Sequence, residues 1–350
     1  MAARLPIPTL PKELKEYALI DVRSEAEFER GHIPGAVNIP ILRNEERVAI
    51  GTAYKQQGRD AAVTLGYEMV GPRFAQLYVK YKIAIQGRKP LFYCWRGGLR
   101  SQIASTLLHW GGYHVHVGIG GYKAYRHNVQ AAFARPLPFL RLGGLTGSGK
   151  TEVLQLLQKR GEQILDLEQL AHHKGSALGS LGLPPQPSVE MFENLIHTAL
   201  QKLDHTRRIW VENESRKIGT CVLHPDLWNH LCESPLVELE TPTEIRIQRL
   251  VQEYGHFPKT ELQERTARLR KKLGGQHEQA AQLALEQNRM EDWVKKLLVY
   301  YDSTYSYGKE SLPVPLPSVA FDWNNPGASI DRLLSLADTI RLYAPAGILD

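Results

Sequence analysis

Cysteine is scarce in this chain, with three in 350 residues, at positions 94, 221 and 232. Three thiols without a C-x-x-C spacing exclude a disulfide framework and a cysteine-based zinc site, and the histidines are scattered rather than spaced as ligands. Long apolar runs are missing as well. Nothing approaches the roughly eighteen consecutive apolar residues of a membrane span, mean hydropathy is −0.32, and Met1-Ala2-Ala3-Arg4-Leu5-Pro6 lacks a signal-peptide pattern. A cytoplasmic protein without a membrane partner, and a monomer, is the expectation. Acidic residues are outnumbered, 37 against 43 Lys and Arg, for a net charge of +6 and a pI near 9.1. Such an excess leans towards a polyanionic partner without requiring one.

Against that background one lone thiol stands out. Cys94 follows the apolar run Pro90-Leu91-Phe92-Tyr93 and opens the loop Trp95-Arg96-Gly97-Gly98-Leu99-Arg100, and Ser101 onward reads as a helix. A strand, a glycine loop and a helix N-terminus in that order bring backbone N–H groups together around the sulfur as a cradle for a tetrahedral oxyanion. With Arg96 and Arg100 beside it, the field favours thiolate, and thus transfer chemistry at Cys94.

Upstream, Tyr17-Ala18-Leu19-Ile20-Asp21-Val22-Arg23 reads as a strand, and Ser24-Glu25-Ala26-Glu27 has the form of a capping box opening a short helix. Gly31 to Pro40 supplies a turn and a second short strand. The alternation predicts a parallel α/β domain over residues 1–133, with Cys94 at the carboxyl end of a strand, where such folds bind ligands. Leu19 to Arg23, Glu27-Phe28 and Gly31-His32-Ile33-Pro34-Gly35-Ala36-Val37-Asn38-Ile39-Pro40 resemble the rhodanese signature, and Cys94 to Ser101 resembles that family's active-site loop. That resemblance implies a cysteine carrying a chalcogen adduct. The loop departs from C-x4-R or C-x4-T by one residue; its C-x5-R spacing is also that of related cysteine phosphatases and arsenate reductases. A larger anion than a bare sulfane donor is the expectation. An inserted charged segment with Arg43, Glu45, Glu46, Arg47, Gly51, Thr52, Tyr54, Lys55, Gly58 and Arg59 either covers the active site or touches a partner.

Ala134-Arg135-Pro136-Leu137-Pro138 breaks the helical pattern and marks a domain boundary. Beyond it, residues 138–350 open with a strand at 139–143 and then Gly144-Leu145-Thr146-Gly147-Ser148-Gly149-Lys150-Thr151, which satisfies G-x-x-x-x-G-K-[ST] ahead of an apolar helix. Here the loop amides would receive phosphate oxygens, Lys150 would neutralise their charge, and Thr151 would ligate Mg²⁺ if one is present. No other metal site is assigned. Asp166 and Glu168 end one strand, and Glu212 and Glu214 another, so Asp166 and Glu212 are acid/base or Mg²⁺-associated candidates or else surface acids. With no protein-kinase signature, the layout is that of small nucleoside kinases.

The glycine-rich loop 171–179 offers His172 or His173 for proton transfer, and Lys174 and Ser176 for phosphate or RNA. Arg246 and Arg249, three apart on one helix face, resemble the lid arginines of small phosphotransferases. A basic helix follows, with Arg265, Arg268, Arg270, Lys271 and Lys272, ended by Gly274-Gly275. It is either a solvated face or an RNA contact. Trp293, Tyr300, Tyr301, Tyr305 and Tyr307, among Lys295, Lys296 and Lys309, are either a base-stacking set or a helix-packing stripe.

Taken together, Cys94 to Ser101, Gly120-Gly121-Tyr122-Lys123-Ala124-Tyr125-Arg126 and Gly144 to Thr151 resemble bacterial tRNA 2-selenouridine synthases over nearly the whole chain. The implied fold class is α/β: an N-terminal rhodanese-like parallel α/β domain, then a P-loop NTPase-like α/β domain with a helical C-terminal region. The implied activity replaces sulfur by selenium in 2-thiouridine at the tRNA wobble position, through an S-geranylated intermediate. The co-substrates are selenophosphate and geranyl diphosphate; the implied partners are the tRNA anticodon stem-loop and a selenophosphate-producing enzyme. Two other classes fit parts of the chain: a C-x5-R cysteine phosphatase or arsenate-reductase-like enzyme, and a P-loop kinase or ATP-driven RNA-binding protein with a non-catalytic rhodanese module.

Overall fold

The computed structural model describes residues 3–7, 11–309 and 316–342, without the side chains at 11–13, 304 and 306–309; Met1, Ala2 and the side chains of Tyr307 and Lys309 thus lie outside the described set. The chain forms two units, Met1–Arg135 with Pro187–Lys202, and Pro136–Gln186 with Leu203–Asp350. Among the described residues no helix is long and apolar enough to cross a membrane.

In the first unit β1 (Ala3–Pro6), β2 (Tyr17–Asp21), β3 (Val37–Asn38), β4 (Lys89–Tyr93) and β5 (His116–Ile119) form a parallel sheet in the order β1-β5-β4-β2-β3. From Pro90 onward central β4 is apolar because both of its faces are covered, and Leu91, Phe92 and Tyr93 are fully buried. β2 ends in a buried ion pair. The Arg23 guanidinium donates to Asp21 Oδ2 at 2.6 Å and to the Gly31 carbonyl at 2.7 Å, and lies 3.9 Å from the centre of the Tyr122 ring. The Asp-Val-Arg of the signature therefore serves the frame and has no exposed face. Between β3 and β4 the inserted segment is a helical hairpin, Asn44–Gln57 and Arg59–Val70, turning at Gly58 and followed by the helix Phe74–Ile85.

The expected division into residues 1–133 and 138–350 misses one excursion. Helix Val189–Leu200 belongs to the first unit, packed on the helix Gly121–Phe133. Its buried Phe192, Ile196 and Leu200 recur every four residues on one stripe. Beside them Glu190 accepts from the Tyr122 hydroxyl at 2.9 Å, Glu193 pairs with Arg126, and Asn194 donates to the His32 carbonyl at 2.8 Å. An amphipathic helix goes where its apolar stripe is covered, and linear sequence order does not determine where that is.

The second unit holds β6 (Phe139–Gly144), β7 (Gln163–Leu165), β8 (Ile209–Glu212), the small antiparallel pair β9 (Lys217–Ile218) and β10 (Cys221–Val222), β11 (Leu236–Glu240) and β12 (Ser318–Ala320). The main sheet is parallel, in the order β12-β11-β6-β8-β7. With β8 on one side of β6 and β11 on the other, the loop after β6 opens where the strand order reverses, the usual ligand crevice of such sheets. Behind the sheet, Leu140, Leu142, Val153, Leu157, Trp210 and Leu333 make one core. A second core gathers the C-terminal helices around Trp293, whose Nε1 donates to Thr266 Oγ1 at 3.0 Å. The basic stretch is two helices rather than one, Lys259–Arg268 and Arg270–Leu273, broken at Leu269 where that leucine turns into the core.

Candidate functional site

In the first unit Cys94 follows β4, with its sulfur buried at the N-terminus of the helix Leu99–Trp110. The Gly98 N–H donates to Sγ at 3.3 Å, and the Ser101 hydroxyl lies 3.3 Å from it. Glycines are required where the loop backbone meets its neighbours. Gly97 has φ +66, and a Cβ there would overlap the Gly118 carbonyl oxygen; Gly121, at φ +60, faces the Cys94 carbonyl in the same way. The Tyr122 N–H donates to that carbonyl and the Lys123 N–H to that of Trp95, both at 2.9 Å. Residues 120–126 thus form the floor that holds the thiol loop, a role their spacing does not reveal.

The two loop arginines differ. Arg96 is exposed, with no hydrogen bond or ion pair among the described residues, and stands beside exposed Trp95 and Leu99. Arg100 donates from Nη1 and Nη2 to the Glu27 carboxylate at 2.5 and 3.2 Å. Burial pushes the Glu27 carboxyl up, but Arg100, the Ser24 N–H and Arg47 outweigh it and hold it below the ordinary value. Arg100, expected to face the bound anion, is here paired with Glu27. The inserted hairpin reaches this network through Arg47, 3.8 Å from Glu27.

In the second unit the loop Gly144 to Thr151 runs from β6 into the helix Lys150–Lys159. Lys150 Nζ rests on the Gly144 carbonyl at 2.9 Å, and the buried Ser148 hydroxyl has no hydrogen-bond partner among the described residues. An orphaned hydroxyl and a helix N-terminus within one loop fit a phosphate group. The loop is held from outside by groups distant in sequence. Tyr305 accepts from the Gly144 N–H at 2.8 Å and donates to Glu238 at 2.7 Å. Arg246 is buried, donating to the Thr146 carbonyl at 2.8 Å and to Asp302 at 2.6 and 3.0 Å. The expectation that Arg246 is a lid arginine open to phosphate or RNA is corrected: it is a buried brace of the loop. Arg249 reaches Glu152 at 2.6 Å and lies 3.7 Å from the Trp323 ring centre, at the edge of the loop.

The loop opens into a cleft of about 1960 Å³ that carries several carboxylates. Thr151 Oγ1 donates to Glu168 Oε2 at 3.3 Å. Burial first, then the neighbouring Glu214, push the Glu168 carboxyl up to about 8, against the pull of Lys150. Glu212 is also raised, by burial and by Asp166 and Glu168, and its Oε2 accepts from the Leu167 N–H at 3.1 Å. Asp166 caps the helix Leu167–Ala171 by accepting from the Gln169 N–H at 2.7 Å. Among the described residues no three His, Cys, Asp or Glu are placed to hold a metal. Were Mg²⁺ to accompany a bound phosphate, the Thr151 hydroxyl would be its protein ligand in this loop, and the ion would screen phosphate charge.

Of the remaining candidates, Lys174 pairs with Glu253 at 2.6 Å and the Ser176 hydroxyl accepts from the Leu178 N–H, so both are structurally engaged. The His172 ring nitrogen Nδ1 is 2.9 Å from the Pro185 carbonyl oxygen, while His173 lines the cleft, its pKa lowered by burial. Arg268, Arg270 and Lys271 are exposed. Of the aromatic set, Trp293 is core, Tyr301 accepts from the Ala177 N–H, Tyr305 holds the P-loop and Tyr300 lines the cleft, while the Tyr307 side chain lies outside the described residues. Sequence reading missed Glu27, Glu238 and Asp302 as partners because each acts across 56 to 73 residues of chain. No local spacing marks them.

A rhodanese-type thiol loop in one unit and a phosphate-binding P-loop in the other define a two-domain rhodanese and P-loop protein. Sequence comparison agrees, with a rhodanese-like domain matched over residues 9–128 and the tRNA 2-selenouridine synthase AAA domain over residues 137–313. The chain belongs to the tRNA 2-selenouridine synthase family. It is a tRNA-modifying enzyme, and tRNA is its substrate. Among solved structures it is similar to the N-terminal domain of a protein described as ATP/GTP-binding from Clostridium difficile 630, 34% identical over 37% of this chain and 98% of that one, with a TM-score of 0.33. A rhodanese-related protein from Thermoplasma volcanium is 21% identical over 33% of this chain and 83% of that one (TM-score 0.21). A gluconokinase from Sinorhizobium meliloti 1021 is 14% identical over 59% and 100% (TM-score 0.27). No residue assignment rests on these three.

Proposed function

We propose that this enzyme exchanges selenium for sulfur at C2 of wobble 2-thiouridine in two half-reactions, one in each unit. In the first, the thiocarbonyl sulfur attacks C1 of geranyl diphosphate, the C–O bond breaks and diphosphate leaves. The P-loop amides and Lys150 take up the charge of that leaving group, which is where fixed donors accelerate a reaction most. Alkylation turns a poor leaving group into a good one. In the second half-reaction selenium from selenophosphate attacks C2, the C–S bond breaks and geranyl thiol departs, while the phosphoryl group passes to water. Cys94 serves this half, with Arg96, the loop amides and the Leu99–Trp110 helix N-terminus receiving the selenophosphate anion. A selenophosphate-producing enzyme would be the upstream partner.

The observation that carries this reading is the presence, in a chain of this family, of two anion-receiving loops of different chemistry, one built around a thiol and one around a lysine. Mass spectrometry of the wobble nucleoside tests it. Cys94→Ala is expected to block selenium incorporation and accumulate the S-geranyl nucleoside, and Lys150→Ala to leave 2-thiouridine unreacted. If Cys94→Ala abolished geranylation while Lys150→Ala spared it, the division of labour would be wrong.

A further inference from the structure

Arg265, Arg268, Arg270, Lys271 and Lys272 lie within eight consecutive residues, and no carboxylate follows them until Glu278. Several other cations of the same unit are ion-paired: Arg208 to Glu162, Arg246 to Asp302, Lys174 to Glu253. The five in this cluster have no ion-pair partner among the described residues. Leu269 and Leu273 are drawn into the core around Trp293, and the helix break at Leu269 leaves Arg268, Arg270 and Lys271 exposed. Lys272 Nζ is 5.9 Å from the Tyr300 ring centre, and both residues line the P-loop cleft. The positive strip thus runs from the outer surface to the wall of the cleft. Glu261 and Glu264, one turn earlier on the same helix, form no ion pair with these cations among the described residues; like charges left unpaired repel, and a polyanion laid along them relieves that repulsion.

We propose that Arg268, Arg270, Lys271 and Lys272 are the docking strip for the tRNA phosphate backbone, placing the bound strand at the mouth of the P-loop cleft. The inference rests on the reading of that cleft as the site where tRNA is first modified. Another exposed cationic element, residues 43–59 in the first arm and turn of the inserted hairpin, fits a phosphate backbone less well. Glu45 and Glu46 lie among its cations, and Arg47 is already near Glu27.

The test is binding of a fluorescently labelled tRNA transcript to the full chain, by anisotropy, between about 50 and about 300 mM KCl. Each phosphate that a variant no longer neutralises reduces the slope of log K against log salt by about 0.7 to 0.9. The triple variant R268A/R270A/K271A is expected to lower that slope by about two and to weaken binding at least about tenfold at low salt. R268K/R270K should retain it, and R43A/K55A/R59A should bind like the parent. Unchanged melting and unchanged affinity for inorganic pyrophosphate would show that the triple variant is folded with its P-loop intact. A triple variant with the parental slope, or loss of slope in the hairpin variant instead, overturns the strip while leaving tRNA as substrate. If the parent chain showed no salt-dependent tRNA binding at all, both the strip and the reading beneath it would fall.

Discussion

Gly121 shows how little room the Cys94 loop leaves. A methyl group there would meet the Cys94 carbonyl oxygen, in a backbone region that L residues rarely adopt. Gly121→Ala is therefore expected to displace the thiol loop with the unit still folded, lowering selenium incorporation about a hundredfold, as misplacements of about 1 Å do. Circular dichroism beside the nucleoside assay distinguishes this from unfolding. Tyr305 makes the corresponding case in the P-loop unit. Tyr305→Phe leaves the Gly144 N–H and Glu238 without their shared hydroxyl and should cost about 1–3 kcal/mol in denaturant unfolding. Glu168 sets a pH dependence. Its carboxyl stays protonated to about 8 in the fold, against an ordinary value of 4.5, so the folded state binds the extra proton between those limits. Its contribution to stability is full below about pH 4.5 and is lost as pH rises through about 8. Melting temperatures measured from pH 5 to 8.5 should fall on that account, and Glu168→Gln should flatten the fall.

At the scale of elements, the helix Val189–Leu200 carries the clearest consequence. It buries Phe192, Ile196 and Leu200 in the first unit, and burial of side chains of that size contributes about 1.5–3 kcal/mol each. A polypeptide ending at Arg135 leaves their seat open to water, and leaves Arg126 without Glu193. It should melt well below the whole first unit, and a synthetic peptide of residues 187–202 added in trans should raise its melting temperature. A peptide without effect would mean that the unit is complete without this helix. The strands and helices themselves are legible in the sequence: the run before Cys94, the capping box at Ser24 and the P-loop helix all sit within a few residues of where apolar period and caps place them. The helix 189–200 and its partner were not read from the sequence, because its apolar stripe is completed by a unit more than fifty residues upstream.

Across the whole molecule, ligand and fold should be coupled unit by unit. Inorganic pyrophosphate, at about a hundred times its dissociation constant, adds about 2.7 kcal/mol to the unit that binds it. Calorimetry should show the transition of the P-loop unit moving up and that of the thiol-loop unit unmoved, and Lys150→Ala should lose the shift. A shift that survives in that variant would place the diphosphate elsewhere.

The two reactive loops, their order along the chain and the parallel sheets behind them were determined by sequence alone, because a P-loop and a thiol loop are made of consecutive residues whose glycines, charges and flanking apolar runs act locally. Which charges remain available was decided only by tertiary structure. Arg96 and Arg100 look alike in the sequence, as do Arg246 and Arg268; one of each pair is exposed and the other is held by Glu27 or Asp302. The reason is physical. An ion pair needs its partner within a few ångströms, and folding brings that partner from 56 to 73 residues away.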